Sequence, residues 1–152
     1  MKSIAIGSDH RGTAVALAIE QQLRLEGFSV VIVGDVTGAP SDYPDIAWKV
    51  TQEIVANRAD GGILICGTGI GMAIAANKVN GIRAALALDE LSAQLSRTHN
   101  DANVLCLSAD LLGQTLVKRI VDIWIRSNYE GGRHARRLAK ITRIENGEDP
   151  KS

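Results

Sequence analysis

Residues Gly61 to Met72 read GGILICGTGIGM, an apolar run that opens into glycines at 67, 69 and 71, and AIAANK (73–78) follows with helical character. A strand handed to a helix through a glycine turn is the repeating unit of an α/β fold. The unit recurs along the chain. SIAIG (3–7), SVVIVG (29–34), IRAALAL (82–88) and ANVLCLS (102–108) join GGILICG (61–67) as five predicted strands. Each is apolar at nearly every position, as expected where helices cover both faces of a sheet. Segments 12–26, 43–57, 70–78, 90–99, 110–128 and 131–146 read as helices. Glu26-Gly27 is a plausible left-handed helix end, and Pro44 suits a first helical turn, where its missing N–H is not needed. The alternation implies parallel strands, right-handed crossovers and a ligand crevice at the carboxyl ends of the strands.

At 152 residues the chain fits one domain, 1–146, with a polar, frayed tail at 147–152. Lys+Arg and Asp+Glu number 17 each, so no net field favours nucleic acid or an anionic membrane. The 45% hydrophobic fraction is aliphatic, with aromatics at 3%. The N-terminus lacks an apolar run long enough for a signal peptide, and no stretch approaches the roughly 18 apolar residues of a spanning helix. Cys66 and Cys106 have no disulfide-framework spacing. A soluble, reduced, cytoplasmic protein is the expectation.

The topology predicts chemistry just after strand ends. Strand one is followed by Ser8-Asp9-His10, strand three by Cys66-Gly67-Thr68-Gly69, and strand four with its helix by His99-Asn100-Asp101. Three polar clusters would then face one rim. A free cysteine is usually a small buried hydrophobe, the reading kept for Cys106. Cys66 differs because Gly67, Gly69 and Gly71 leave backbone N–H groups free to converge, and a helix N-terminus adds positive potential. Both would stabilise a thiolate and an oxyanion beside it. The spacing G-x-G-x-G in the third unit is not a dinucleotide fingerprint, which belongs after the first strand. A small anionic or enediolate-forming ligand fits better than a nucleotide.

Asp9-His10 reads either as a helix cap or as a polar pair for sugar hydroxyls and phosphate. His99 reads either as a residue favourable to the dipole at a helix C-terminus or, with Asn100 and Asp101 directly after it, as a metal ligand. With no H-x-x-x-H or C-x-x-C spacing, a metal site is not expected. In YEGGRHARR (129–137), Arg133 and Arg137 stand four apart on one helix face with His134 and Arg136 beside them. The run suits a solvated basic face or a monophosphate clamp.

Taken together, GSDHRG (7–12), SDYPD (41–45), GGILICGTGIGMAIAANKVNGIRAA (61–85), SAQLSRTHNDANVL (92–105) and YEGGRHARR resemble the type B ribose-5-phosphate isomerases. That family also holds the LacA and LacB subunits of galactose-6-phosphate isomerase. The resemblance covers nearly the whole chain. It implies a Rossmann-like, three-layer α/β/α sandwich with a five-stranded parallel sheet, and a cofactor- and metal-free aldose–ketose isomerase of sugar phosphates. It makes Cys66 the base between C1 and C2, with Thr68 and the amides of Gly67, Gly69, Ile70 and Gly71 holding the enediolate. His99 would assist ring opening and Asp9 would orient the ring. Asn100 would bind a sugar oxygen, His10, Arg133 and Arg137 the phosphate, and Tyr43 would line the pocket. It further implies homodimers or homotetramers whose active sites form across the subunit interface, with the Asn100 region and a phosphate ligand arriving from the neighbouring subunit.

One position departs from the family pattern. Asp110 stands where many members carry a phosphate-binding arginine, so either it caps the helix at 110–128 or the substrate is held differently. Ribose 5-phosphate remains the leading substrate; a tetrose 4-phosphate or an allose or galactose 6-phosphate is the alternative. A non-catalytic sugar-phosphate-binding subunit is the rival from another class. A thiol redox protein ranks last, for want of a resolving cysteine.

Overall fold

A computed structural model describes residues 1–151. Strands β1 (Ser3–Ser8), β2 (Ser29–Val33), β3 (Gly61–Cys66), β4 (Ala84–Leu86) and β5 (Val104–Ser108) alternate with helices α1 (Thr13–Leu25), α2 (Tyr43–Val55), α3 (Ile70–Ala76), α4 (Glu90–Thr98) and α5 (Gln114–Arg126), and α6 (Arg133–Glu145) follows. The strands pair in parallel in the order β2-β1-β3-β5-β4. The predicted three-layer α/β/α fold is present.

The period of two along each strand explains the continuous apolar runs. Ile4, Ile6, Ile63, Ile65, Leu105 and Leu107 join the cluster containing Ile19 and Leu23 of α1 and Ile120 and Trp124 of α5. Their neighbours Ala5, Leu64, Cys66, Val104 and Cys106 join the cluster of Ile46 and Val50 of α2 and Met72 of α3. Ile63, Leu64 and Ile65 are fully buried. At about 1.5–3 kcal/mol for each such side chain, a one-residue slip of β3 would be costly.

Several boundaries differ from the sequence expectation for local reasons. The helix read from 110 begins at Gln114, because residues 109–111 form a turn against the glycine loop: Ala109 N donates to Cys66 O and Leu111 N to Ser108 Oγ. Asp110 therefore does not cap it. Helix α6 begins at Arg133 because Gly131 and Gly132 take positive φ of 67° and 56°. The α1 end is as read, with Gly27 at φ 88° and Phe28 N reaching Leu23 O. Beyond α6 the chain turns back, and Lys140 Nζ donates to Pro150 O at 2.7 Å. Among the described residues no helix is long and apolar enough to cross a membrane.

Candidate active site

The connections reverse direction between β1 and β3: β1 leads through α1 to β2, whereas β3 leads through α3 away to β4. At such a switch point the loops after the two strands diverge and leave a crevice at their carboxyl ends. Asp9 and Cys66 flank it. Asp9 N donates to Ile65 O at 3.1 Å, tying the first loop to the end of β3. One Asp9 oxygen, Oδ1, accepts from Arg11 N and Gly12 N and braces the turn before α1, whose N-cap is Gly12 and not Asp9. No bond to Oδ2 is made by the described residues.

Cys66, 5% exposed, has its Sγ beneath the loop, where it accepts from Gly69 N at 3.1 Å. Gly69 needs to be glycine. Its φ is 78°, and a Cβ there would lie 2.6 Å from Leu86 Cδ1 and 3.0 Å from the Leu107 carbonyl. Ile70 N donates to Thr68 Oγ1 at 3.3 Å and starts α3, whose first-turn amides have no partner within the helix. A Cβ on Gly71 would meet the Tyr43 ring at 2.6 Å, so Tyr43 roofs the loop. His10 is exposed beside it. Cys106, by contrast, is fully buried in the core, and burial pushes its thiol far above the ordinary range. The rim thus joins Asp9, His10, Tyr43, Cys66, Gly67, Thr68, Gly69, Ile70 and Gly71.

Two features of this rim escaped the sequence reading. Ser108 Oγ donates to Gly67 O at 2.6 Å; the pairing of Cys66 with Ser108 in the sheet register places it there. Arg11 and Asp110 form an ion pair, Nη2 to Oδ2 at 2.8 Å, and a Cβ on Gly67 would meet both side chains. Asp110 is neutralised by Arg11 rather than aimed unpaired at a ligand.

His99, Asn100, Arg133 and Arg137 do not join that rim, which corrects the expectation of three clusters facing one edge. The physical reason is the direction of α4. It leaves the carboxyl end of β4 and carries the chain back about 13 Å over its nine residues, to the amino end of the sheet. Arg83, just before β4, there donates from Nε to Asn100 O and Asp101 O. Asp101 shares a surface cleft with Met1, Lys2 and Asp60, which precede β1 and β3. Asp101 accepts from both Arg83 and Arg97, bracing the His99-Asn100 corner. Glu130 N donates to Thr98 O, bringing the start of α6 alongside. The His99 and His134 rings stack with centroids 4.2 Å apart and planes 11° apart. Burial first, then His99, Arg133 and Arg137, holds the His134 pKa below its ordinary value, so the ring is neutral near pH 7.

Several large apolar side chains are exposed. Ile70 and Ile74 of α3 are 52% and 59% exposed, and Trp48, Leu88 and Leu91 are similarly bare.

A family model described as Ribose/Galactose Isomerase matches residues 4–141. The chain is 47% identical over 145 residues to ribose-5-phosphate isomerase B of Escherichia coli, covering 95% of this chain and 97% of that protein. It is 42% identical over 149 residues to D-erythrulose-4-phosphate isomerase of Pectobacterium atrosepticum, covering 97% and 98%. Among solved structures, ribose-5-phosphate isomerase B of Clostridium thermocellum matches with a TM-score of 0.94 at 44% identity, over 95% of this chain and 98% of that one. The Mycoplasma genitalium enzyme with bound ribulose-5-phosphate matches with a TM-score of 0.91 at 45% identity, over 95% and 96%.

Proposed function

Because the chain belongs to the ribose/galactose isomerase family, whose members are aldose–ketose isomerases, we propose that it interconverts ribose 5-phosphate and ribulose 5-phosphate through a cis-enediolate. The observation that carries this reading is the Cys66 sulfur held by the Gly69 amide inside a glycine loop at the sheet's switch point. As thiolate, Cys66 removes the proton from C2 of the open-chain aldose and returns it to C1. Charge that develops on O1 and O2 meets Thr68 and the loop amides, which are in place before the reaction and need no reorganisation. Asp9 and Tyr43 orient the sugar. His10, Arg133 and Arg137 bind the phosphate, and that remote binding energy is available to the transition state.

His99 donates to the ring oxygen and opens the furanose, with Asn100 on a neighbouring oxygen. Since His99 lies at the amino end of the sheet and Cys66 at the carboxyl end, the working site takes these two groups from two copies of the chain. The exposed Ile70, Ile74, Leu88 and Leu91 supply apolar surface for that association. A homodimer, or a homotetramer of such dimers, is the assembly that follows.

A tetrose 4-phosphate is the second reading, favoured by the extensive similarity to D-erythrulose-4-phosphate isomerase. Turnover of four-, five- and six-carbon aldose phosphates by the purified chain decides the sugar. Strong activity on another sugar with negligible activity on ribose 5-phosphate overturns the first reading. For the mechanism, Cys66→Ala should abolish exchange of the C2 proton with solvent; exchange at the wild-type rate removes Cys66 as the base. Binding without exchange by the wild-type chain would make it a sugar-phosphate-binding subunit instead.

A further inference from the structure

We infer that His134 is a positioning residue that holds the ring-opening imidazole of His99 and the phosphate guanidinium of Arg133 in one fixed geometry; this rests on the roles proposed above for those two side chains. Helix α6 is mostly bare, and Arg133, Ala135, Arg136 and Arg137 are exposed. Its buried residue is His134, 4% exposed. Anchoring a helix by an imidazole rather than an aliphatic side chain is costly unless the polar atoms are used.

Both faces of that use are visible. The flat surface of the ring lies against His99, setting the plane of an imidazole at a helix end where little else would fix it. The ring edge accepts from Arg133: Nε of Arg133 lies 3.4 Å from Nε2 of His134. Because Nε2 is the acceptor, the proton of the neutral ring is on Nδ1. A single side chain therefore links the acid to one member of the guanidinium pair.

A metal ion is the competing use of this cluster, since donor atoms of His99, Glu130 and His134 lie within 4.8 Å of one another. The stacking opposes it. A shared ion must lie in the plane of both rings at about 2.0–2.1 Å from each nitrogen. Two rings stacked at 11° aim their lone pairs along separate, nearly parallel planes. The Arg133 N–H is also directed at Nε2.

Two substitutions separate the linked roles. His134→Phe keeps a flat ring against His99 and removes the acceptor; His134→Asn keeps an acceptor and removes the stack. Ring opening is isolated by comparing two reactions. Conversion of ribose 5-phosphate starts from a closed furanose. Deuterium exchange into C1 of ribulose 5-phosphate does not, because its O5 is phosphorylated and cannot close the ring. His134→Phe should raise KM several-fold for both sugars and leave the ratio of the two rates unchanged. His134→Asn should keep KM and lower ribose 5-phosphate turnover about tenfold, with exchange into ribulose 5-phosphate unaffected.

His134→Ala should show both defects. If it shows neither, or if all three variants lose both rates alike together with thermal stability, His134 is only a structural anchor and the inference is overturned. His99→Asn is run in parallel. If it slows both reactions equally, the reading of His99 fails and this inference falls with it. If it shows the ribose-specific defect and the His134 variants do not, this inference alone is wrong.

Discussion

Mixing two inactive variants tests the shared site directly. Consider Cys66→Ala, which keeps His99, and His99→Asn, which keeps Cys66. Within one chain these residues lie at opposite ends of the sheet, separated along strands such as β5 by about 17 Å for five residues. If each site combines Cys66 of one copy with His99 of the other, a two-fold dimer of one variant of each kind holds one intact site and one doubly defective site. Random exchange makes half of the dimers mixed, so about a quarter of all sites are restored. The expected result is a recovery of ribose 5-phosphate turnover to about a quarter of wild type, from parents reduced by orders of magnitude. Co-refolding from denaturant ensures exchange, native mass spectrometry measures the mixed fraction, and a coupled assay follows turnover. Activity that stays at the mean of the two parents, with mixed dimers shown to be present, refutes the shared site.

Three further outcomes are expected. Cys66→Ala should lower kcat by about 10²–10⁴ while Cys106→Ala, in the core beside it, should leave kcat within a factor of a few; comparable losses at both positions would remove the distinction drawn between the two thiols. Gly69→Ala should cost about 2–5 kcal/mol of stability, from a left-handed backbone penalty of about 1–2 kcal/mol and overpacking of about 1–3 kcal/mol against Leu86 and Leu107, read as a shifted denaturation midpoint. Asp60 accepts from the amides of Lys2 and Ser3, which holds its pKa below the ordinary carboxylate value. Its stabilisation is present above the unfolded-state pKa near about 4 and is lost as pH falls through the folded value. Asp60→Asn should therefore lower the melting temperature at pH 7, with the gap to wild type closing below about pH 4; a gap independent of pH would assign the effect to something other than the charge.

Strands and helices were legible in the sequence because β1, β3 and β5 are buried on both faces and leave no polar alternation to confuse the pattern. The glycine loop was legible for a related reason: Gly69 and Gly71 are sites where backbone conformation or a neighbouring ring forbids a side chain, and such sites are marked by residue type. The Arg11–Asp110 pair was not legible. Two oppositely charged residues ninety-nine positions apart carry no local signature, and only the packing of the turn at 109–111 onto Gly67 brings them together. The reading from strand ends, unlike the family resemblance, puts His99 on the common rim, and it fails there for a deeper reason. A helix in an α/β unit returns the chain to the amino end of the sheet, so a residue at its C-terminus cannot share the rim occupied by residues at strand ends. The motif SRTHNDAN gives the identity of the residues at that corner but not its distance from Cys66. On the roles proposed for Cys66 and His99, the same geometry that rules out a one-chain site calls for a second copy. With the proposed base at one end of a sheet and the proposed acid at the other, the proposed chemistry is completed only when the chain meets another of its own kind.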